Sequence, residues 1–207
     1  DAAGLGVENR LVEGDTQTFD ERLVLAMRQP EDLSKPIGPP WLAEIGRDLT
    51  AVGGIAVLAL VTLAVAGYLA MVRKWGALLL VVLATGGGLI ASTILKGMFD
   101  RPRPSVVPHL SHVESSSFPS GHSMMAAIVY LTRGTLLAGL TQRARLRAYF
   151  LIVPVVLTLL VGVSRVYMGV HYPTDVLAGW TAGLVWAALC WLVQRKLQRR
   201  GVVEARE

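Results

Sequence analysis

A chain of 207 residues with 53% hydrophobic and only 17% charged residues carries too little charge for an ordinary soluble domain of this size. Its net charge of +5 does not indicate nucleic-acid binding, because the basic residues flank apolar runs and form no continuous stripe. The single cysteine, Cys190, excludes an internal disulfide. The composition therefore favours a single membrane-embedded domain.

Residues 1–48 form a polar segment in which acidic side chains outnumber basic ones. Apolar residues recur at helical spacing from Phe19 to Met27 and predict a short amphipathic helix. Such a helix lies either on the membrane surface or against other helices of the protein. The prolines between Pro36 and Pro40 predict a stiff linker to the rest of the chain.

Five apolar runs follow, at residues 49–72, 75–95, 122–140, 148–166 and 176–193. A membrane-spanning helix needs about 20 mostly apolar residues. Arg133 in the third run and Pro154 in the fourth weaken those two assignments. A soluble helical core would show polar faces at a period of 3.6 residues, and residues 57–61 and 78–83 have none. The sequence predicts an all-α, polytopic membrane helix bundle with five spans.

Basic residues predict the orientation of this bundle. Three basic clusters fall on one side of a five-span chain, and the positive-inside rule makes that side cytoplasmic. The clusters are Arg73 and Lys74, then Arg143, Arg145 and Arg147, and finally Arg195, Lys196, Arg199 and Arg200. We therefore expect an extracytoplasmic acidic segment at 1–48, a membrane domain at 49–194 and a basic cytoplasmic tail at 195–207. This orientation places the N-terminal segment outside the cytoplasm, although no signal peptide is visible. We therefore expect one further span upstream, which makes six spans in the full protein.

Residues 118–123 join a polar loop to the third run. Pro119 breaks the preceding structure, and Ser120 is a natural helix N-cap. The backbone N–H groups of Gly121 and His122 then point out of a helix N-terminus, which is an anion-binding arrangement. A histidine in this first turn is placed to exchange a proton with a bound phosphate. The alternative is a capped helix start with an incidental surface histidine.

Two further polar stretches fall on the same predicted membrane face. Lys96 ends the second run and is followed by the stiff sequence Arg-Pro-Arg-Pro at 101–104, although such cations also occur as snorkelling residues at a membrane edge. Between the fourth and fifth runs, Asp175 follows His171 by four residues. A carboxylate at this spacing orients an imidazole as a nucleophile, although an isolated pattern of this kind is often only a helix cap.

Together the three stretches resemble the signature motifs of the type-2 phosphatidic acid phosphatase superfamily, which includes bacterial lipid phosphatases, glucose-6-phosphatase and the vanadium haloperoxidases. The motifs are Lys96-x6-Arg103-Pro104, Pro119-Ser120-Gly121-His122 and Ser164-Arg165-x5-His171-x3-Asp175. They occur in order, without a departure from the pattern, and the resemblance covers residues 41–194. It implies an acid phosphatase/vanadium haloperoxidase-like helical core with six membrane helices.

The resemblance also implies a role for each motif residue. His171 is expected to attack phosphorus and form a phosphohistidine, and Asp175 to orient it. His122 is expected to protonate the leaving group and then to activate water. The residues expected to hold the phosphate oxygens are Lys96, Arg103, Ser120, Gly121 and Arg165. No cofactor and no metal is implied, and inhibition by vanadate is expected.

Four residues outside these roles remain candidates. Arg101 is expected to serve loop structure, with phosphate contact as the alternative. His109 and His112 have a spacing that suits a metal, but no third ligand is evident, so we expect exposed loop histidines. Arg133 is expected to face the bundle interior in a structural role.

The sequence thus predicts a lipid phosphatase in the inner membrane, with its site facing the periplasm or exterior. The expected partner is a membrane lipid phosphate such as undecaprenyl diphosphate, phosphatidylglycerophosphate or phosphatidic acid, and not a nucleic acid. One alternative is a protein that binds or transports anionic lipid without cleaving it. Another is a vanadate-dependent haloperoxidase, which the membrane spans disfavour because the haloperoxidases are soluble. The physiological lipid and the oligomeric state are left open.

Overall fold

The computed structural model of the protein describes residues 16–99, 101–111 and 116–199. Within these ranges the chain forms a helix bundle with one small hairpin, so the expected all-α class is confirmed. The helices are α1 (16–26), α2 (Pro40–Val52), α3 (Ile55–Met71), α4 (Trp75–Met98), α5 (Gly121–Gly139), α6 (Ala144–Tyr167) and α7 (Pro173–Arg199). The hairpin pairs β1 (Arg28–Gln29) with β2 (Asp32–Pro36) in antiparallel register.

Helix α5 is the centre of the bundle, and every side chain from Met124 to Val129 is buried. Glycines let α7 pack closely against it. A Cβ atom built on Gly183 would lie 2.6 Å from Ala127 Cβ and 2.7 Å from the Met124 carbonyl oxygen. Small residues at a helix interface allow such close backbone approach where lipid provides little hydrophobic drive. The contact holds the first turns of α5 and α7 side by side.

The helices that meet the length and composition of a membrane span are fewer than the five predicted. Among the described residues they are α4, α6 and α7, with α2 and α3 together forming a fourth that is bent by 49°. The run predicted at 49–72 forms part of this bent pair and not one continuous helix, because the chain breaks at Gly53 and Gly54. Val161 fills the break, since a Cβ on Gly53 would lie 2.3 Å from its Cγ1.

The third predicted run forms α5, which does not qualify as a span on its own composition. Neighbouring helices enclose much of α5, so it tolerates polar side chains that lipid would not. Arg133 is 6% exposed and faces the bundle interior. Its guanidinium donates to the Val129 carbonyl at 2.9 Å and to the hydroxyls of Thr62 and Thr85 at 2.6 and 3.2 Å. These bonds tie α5 to α3 and α4 and account for a structural role.

The N-terminal part of the described chain packs over the connection between α6 and α7. Helix α1 buries Asp20 and Val24 against the bundle and leaves Phe19 54% exposed. Val24 shares an apolar cluster with Val107, Val166, Tyr172 and Val176. After the helix, Arg28 donates to the Tyr167 carbonyl at 2.8 Å, where a cation complements the C-terminal end of the α6 dipole.

The close contact of α7 with α5 yields a stability test. We expect Gly183→Ala to lower the free energy of unfolding by about 1–3 kcal/mol, because the added methyl group meets Ala127 and the α5 backbone. Gly86→Ala is the matched control, since a Cβ on Gly86 meets nothing within 4 Å. Thermal unfolding in detergent measures both variants. A Gly183→Ala variant as stable as Gly86→Ala contradicts the packing described.

Candidate active site

Four helix ends meet at one end of the bundle. They are the C-terminal ends of α4 and α6 and the N-terminal ends of α5 and α7. The Ser120 N–H donates to the Asp175 carbonyl at 3.0 Å and joins the start of α5 to the start of α7. All eight residues of the predicted site, from Lys96 to Asp175, lie on these ends or on the loops between them.

His171 occupies the turn between α6 and α7 and is 1% exposed. Its Nε2 lies 3.2 Å from Nη1 of Arg103. A guanidinium only donates hydrogen bonds, so Nε2 is the acceptor and the ring proton is assigned to Nδ1. Nδ1 faces Oδ2 of Asp175 at 3.5 Å, which is long for a hydrogen bond in a site without substrate. The imidazole is thus held with its Nε2 lone pair turned toward the cations.

Asp175, in the first turn of α7, is 0% exposed. Its Oδ2 accepts hydrogen bonds from the Ser117 hydroxyl and, at 2.9 Å, from the Tyr172 N–H. Its Oδ1 accepts a bond from Nη1 of Arg101 at 2.7 Å. These partners compensate the burial of the carboxylate, which costs several kcal/mol when a charge has no partner. They also fix the plane of the carboxylate beside His171.

The start of α5 has the capped form that the sequence predicts. Ser120 is the N-cap, and its Oγ accepts from the Ser123 N–H at 3.5 Å and from the Ser123 hydroxyl at 2.9 Å. A Cβ on Gly121 would lie 3.1 Å from Cε and 3.5 Å from Nζ of Lys96. The lysine therefore passes directly over the helix N-terminus, and a larger residue at 121 would displace it.

Three cations converge on this end of the bundle. Lys96, Arg103 and Arg165 repel one another, and all three act electrostatically on His122 in the first turn of α5. The Arg165 side chain is buried, and its Nε has no hydrogen-bond partner in the part of the chain that the structure describes. Converging cations beside a helix N-terminus form a cradle for an anion with several oxygen atoms.

The same environment sets the protonation state of His171. Burial is the main cause, and together with the charges of Arg165 and Arg103 it lowers the pKa of His171 to about 4, although Asp175 opposes the shift. Burial also lowers the pKa of Arg103 below its usual value. At pH 7 the His171 imidazole is therefore neutral, as a nucleophile requires.

The described ranges contain no group of three or more His, Cys, Asp or Glu side chains able to hold a metal ion. Nε2 of His109 lies 2.7 Å from the Pro104 carbonyl oxygen, so this histidine belongs to loop structure. His112 lies outside the described residues.

Comparison with known proteins agrees with this geometry. The family model of the PAP2 superfamily matches residues 75–199, which include all three motifs. The chain belongs to the PAP2 superfamily. Phosphatidylglycerophosphatase B of Bacillus subtilis is 37% identical over 165 residues, which are 79% of this chain and 80% of that protein. Lipid A 1-phosphatase of Rhizobium etli is 29% identical over 176 residues, covering 72% and 71%.

A PAP2 crystal structure has the same fold. The transmembrane PAP2-type phosphatidylglycerolphosphate phosphatase from Bacillus subtilis superposes with a TM-score of 0.79 and 34% identity, over 88% of each chain. The family expected from the motifs is therefore confirmed. So is the expected enzyme class, a phosphatase.

Three residues that contact the site are not among the named motif residues. Ser117 bonds to Asp175, Arg101 bonds to both Asp175 and Asp20, and Asp20 comes from α1. Arg101 was expected to serve loop structure, and it is instead a direct partner of the carboxylate. The position of Arg101, two residues before the motif residue Arg103, was a signal for this contact. No pattern along the chain indicates the contact of Asp20, because it joins residues 81 positions apart.

The protonation of His171 can be measured directly. We expect proton–nitrogen NMR of the side-chain resonances to show a neutral His171 between pH 8 and 5, with half-titration at about 4. An unburied histidine titrates near 6.5, so the unfolded chain binds a proton between these two values that the folded chain does not. Acidification through that range therefore destabilises the fold. The His171→Asn variant assigns the resonance, and half-titration near 6.5 contradicts the assignment of a neutral, buried imidazole.

Proposed function

We propose that the chain is an integral-membrane lipid phosphatase that hydrolyses a phosphate monoester or diphosphate of a lipid through a phosphohistidine on His171. The observation that carries this proposal is the position of His171 between Asp175 and the cations Arg103 and Arg165. Its Nε2 faces Arg103 at 3.2 Å, and its Nδ1 faces the carboxylate. A phosphate bound by Arg103 therefore lies next to Nε2.

In the first step, Nε2 of His171 attacks phosphorus as the bond from phosphorus to the lipid-side oxygen breaks. His122 donates to the departing oxygen the proton that it takes up with the bound phosphate, whose negative charge offsets the neighbouring cations. The imidazole ring carries a positive charge once it bears the phosphoryl group, and its Nδ1 proton faces Asp175. The buried carboxylate stabilises that charge, as the acid of a catalytic triad does.

In the second step, water attacks phosphorus and the bond from nitrogen to phosphorus breaks. His122, now neutral, takes the proton from the attacking water, so the enzyme returns to its starting state with inorganic phosphate released. Lys96, Arg103 and Arg165 neutralise the non-bridging oxygens in both steps, together with the N–H groups at the start of α5. Preorganised charge of this kind in a site shielded from water is usually the largest contribution to such catalysis.

The orientation follows from the charge pattern. The site lies at the end of the bundle where α4 ends and α5 begins, and the short basic connections lie at the opposite ends of these helices. Arg73 and Lys74 precede α4, and Arg143, Arg145 and Arg147 lie at the start of α6. We place these residues on the cytoplasmic side of the inner membrane and the site on the periplasmic or exterior side.

A phosphorylated lipid is the substrate class that this arrangement fits. The cradle recognises phosphate oxygens, and the spans place it beside the membrane. The names of the relatives, a phosphatidylglycerophosphatase and a lipid A 1-phosphatase, support the same class. Undecaprenyl diphosphate, phosphatidylglycerophosphate and phosphatidic acid are the candidate substrates.

A lipid panel tests this proposal. Purified protein in detergent with EDTA is expected to release phosphate from at least one of these three lipids, because the charge neutralisation comes from side chains. His171→Ala is expected to lose at least about 10³-fold in kcat, since the nucleophile is removed. His109→Ala is the matched control, because that histidine contacts only loop backbone among the described residues.

Each other outcome has a distinct meaning. Activity that requires added metal, or that persists in His171→Ala, contradicts the phosphohistidine mechanism. Lipid binding without release of phosphate from any lipid favours the non-hydrolytic binding or transport protein instead.

A further inference from the structure

Asp20 is the most unusual charged residue outside the motifs. It lies on α1, upstream of the residues that the PAP2 family model matches, and it is 0% exposed. Its Oδ2 accepts hydrogen bonds from Nη2 of Arg101 at 2.7 Å and from the Thr174 hydroxyl. Its Oδ1 accepts from the Thr174 N–H at 3.1 Å. A carboxylate this deeply buried is tolerated only with such partners.

Arg101 divides its guanidinium between two carboxylates. Nη1 donates to Oδ1 of Asp175 and Nη2 to Oδ2 of Asp20, both at 2.7 Å. The guanidinium also lies over the Tyr172 ring, 4.5 Å from its centre, which restricts its movement. Two carboxylates and one guanidinium carry a net charge of −1. Of the two carboxylates, Asp175 is the one that faces His171.

We propose that Asp20 is a positioning residue for His171 that acts through Arg101 and Asp175. This inference rests on the proposed phosphohistidine mechanism. Asp20 balances the charge of Arg101, so that Asp175 keeps its negative charge available to the Nδ1 proton of His171. Without Asp20, Asp175 is the one carboxylate that Arg101 still contacts in the described chain, beside the Thr174 hydroxyl at 2.7 Å, and Arg101 competes with His171 for it. The ring that becomes positively charged on phosphorylation then loses part of its stabilisation.

The position of Asp20 also explains why α1 is part of the enzyme. Its bond to the Thr174 N–H lies at the start of α7, where an anion is favoured by the helix dipole. Arg28 bonds at the end of α6, where a cation is favoured. The N-terminal segment thus holds both sides of the turn that carries His171.

The isosteric variant Asp20→Asn tests the charge without changing the shape of the side chain. We expect its kcat for release of phosphate from phosphatidic acid to fall about 10-fold, with KM unchanged within about twofold. Asp32→Asn is the matched control, because Asp32 lies in the same segment but its carboxylate bonds only to exposed Ser34 and Lys35 among the described residues. It is expected to retain wild-type kcat. An Asp20→Asn variant with wild-type kcat overturns the proposal.

A double-mutant cycle distinguishes positioning of His171 through Arg101 from a role of Asp20 that only holds α1 against the bundle. We expect Asp20→Asn to cause no further loss of kcat in an Arg101→Gln background, because the effect passes through Arg101. Losses that multiply in the double variant show that Asp20 acts only by holding α1 in place, and they overturn the proposal. If Asp20→Asn does not fold, Arg101→Lys tests the same link, since lysine keeps the charge but has one terminal nitrogen where arginine has two. Wild-type kcat in Arg101→Lys overturns the proposal.

A second readout does not depend on hydrolysis. The Nδ1 proton resonance of His171 reports its contact with Asp175, and Asp20→Asn is expected to shift it in the wild-type background but not in Arg101→Gln. An unmoved resonance in both backgrounds overturns the positioning role. If Asp20→Asn shifts the resonance as expected but the wild-type protein releases no phosphate from any lipid, the proposed function fails and the coupling of Asp20 to His171 stands.

Discussion

The buried carboxylate of Asp175 joins the segments that form the site. Its side chain bonds to Arg101 and Ser117 from the loop before α5, while its backbone carbonyl accepts from Ser120 at the start of α5. Its Oδ2 faces Nδ1 of His171. A buried charge without partners is strongly destabilising because it has lost its hydration. The bonds that compensate Asp175 therefore hold several parts of the chain in one geometry. The position of His171 follows from that need for partners.

The cations on the other side of His171 follow the opposite logic. Lys96, Arg103 and Arg165 repel one another at one end of the bundle. Their burial and mutual repulsion oppose folding. The gain is a set of charges that needs no rearrangement when a phosphate arrives. It also keeps His171 neutral, so one arrangement provides both the phosphate cradle and an unprotonated Nε2.

The sequence predicted the parts of this structure that depend on local spacing. The cap at Ser120, the pairing of His171 with Asp175 and the helical class all follow from residues close together in the chain. The bend between α2 and α3 was missed because it depends on Val161 packing against Gly53, which hydropathy along one run does not record. The contact of Asp20 with Arg101 was missed for the same reason, since only the folded chain brings α1 to the site.

The phosphoenzyme is the most direct test of the central claim. Purified protein mixed with radiolabelled phosphatidic acid, and quenched within one turnover, is expected to carry an alkali-stable, acid-labile phosphate on His171, located by peptide mass spectrometry. His122→Asn is expected to retain any label it acquires for longer, because water is no longer activated. Rapid turnover without a labelled protein, or a label on any residue other than His171, contradicts the account.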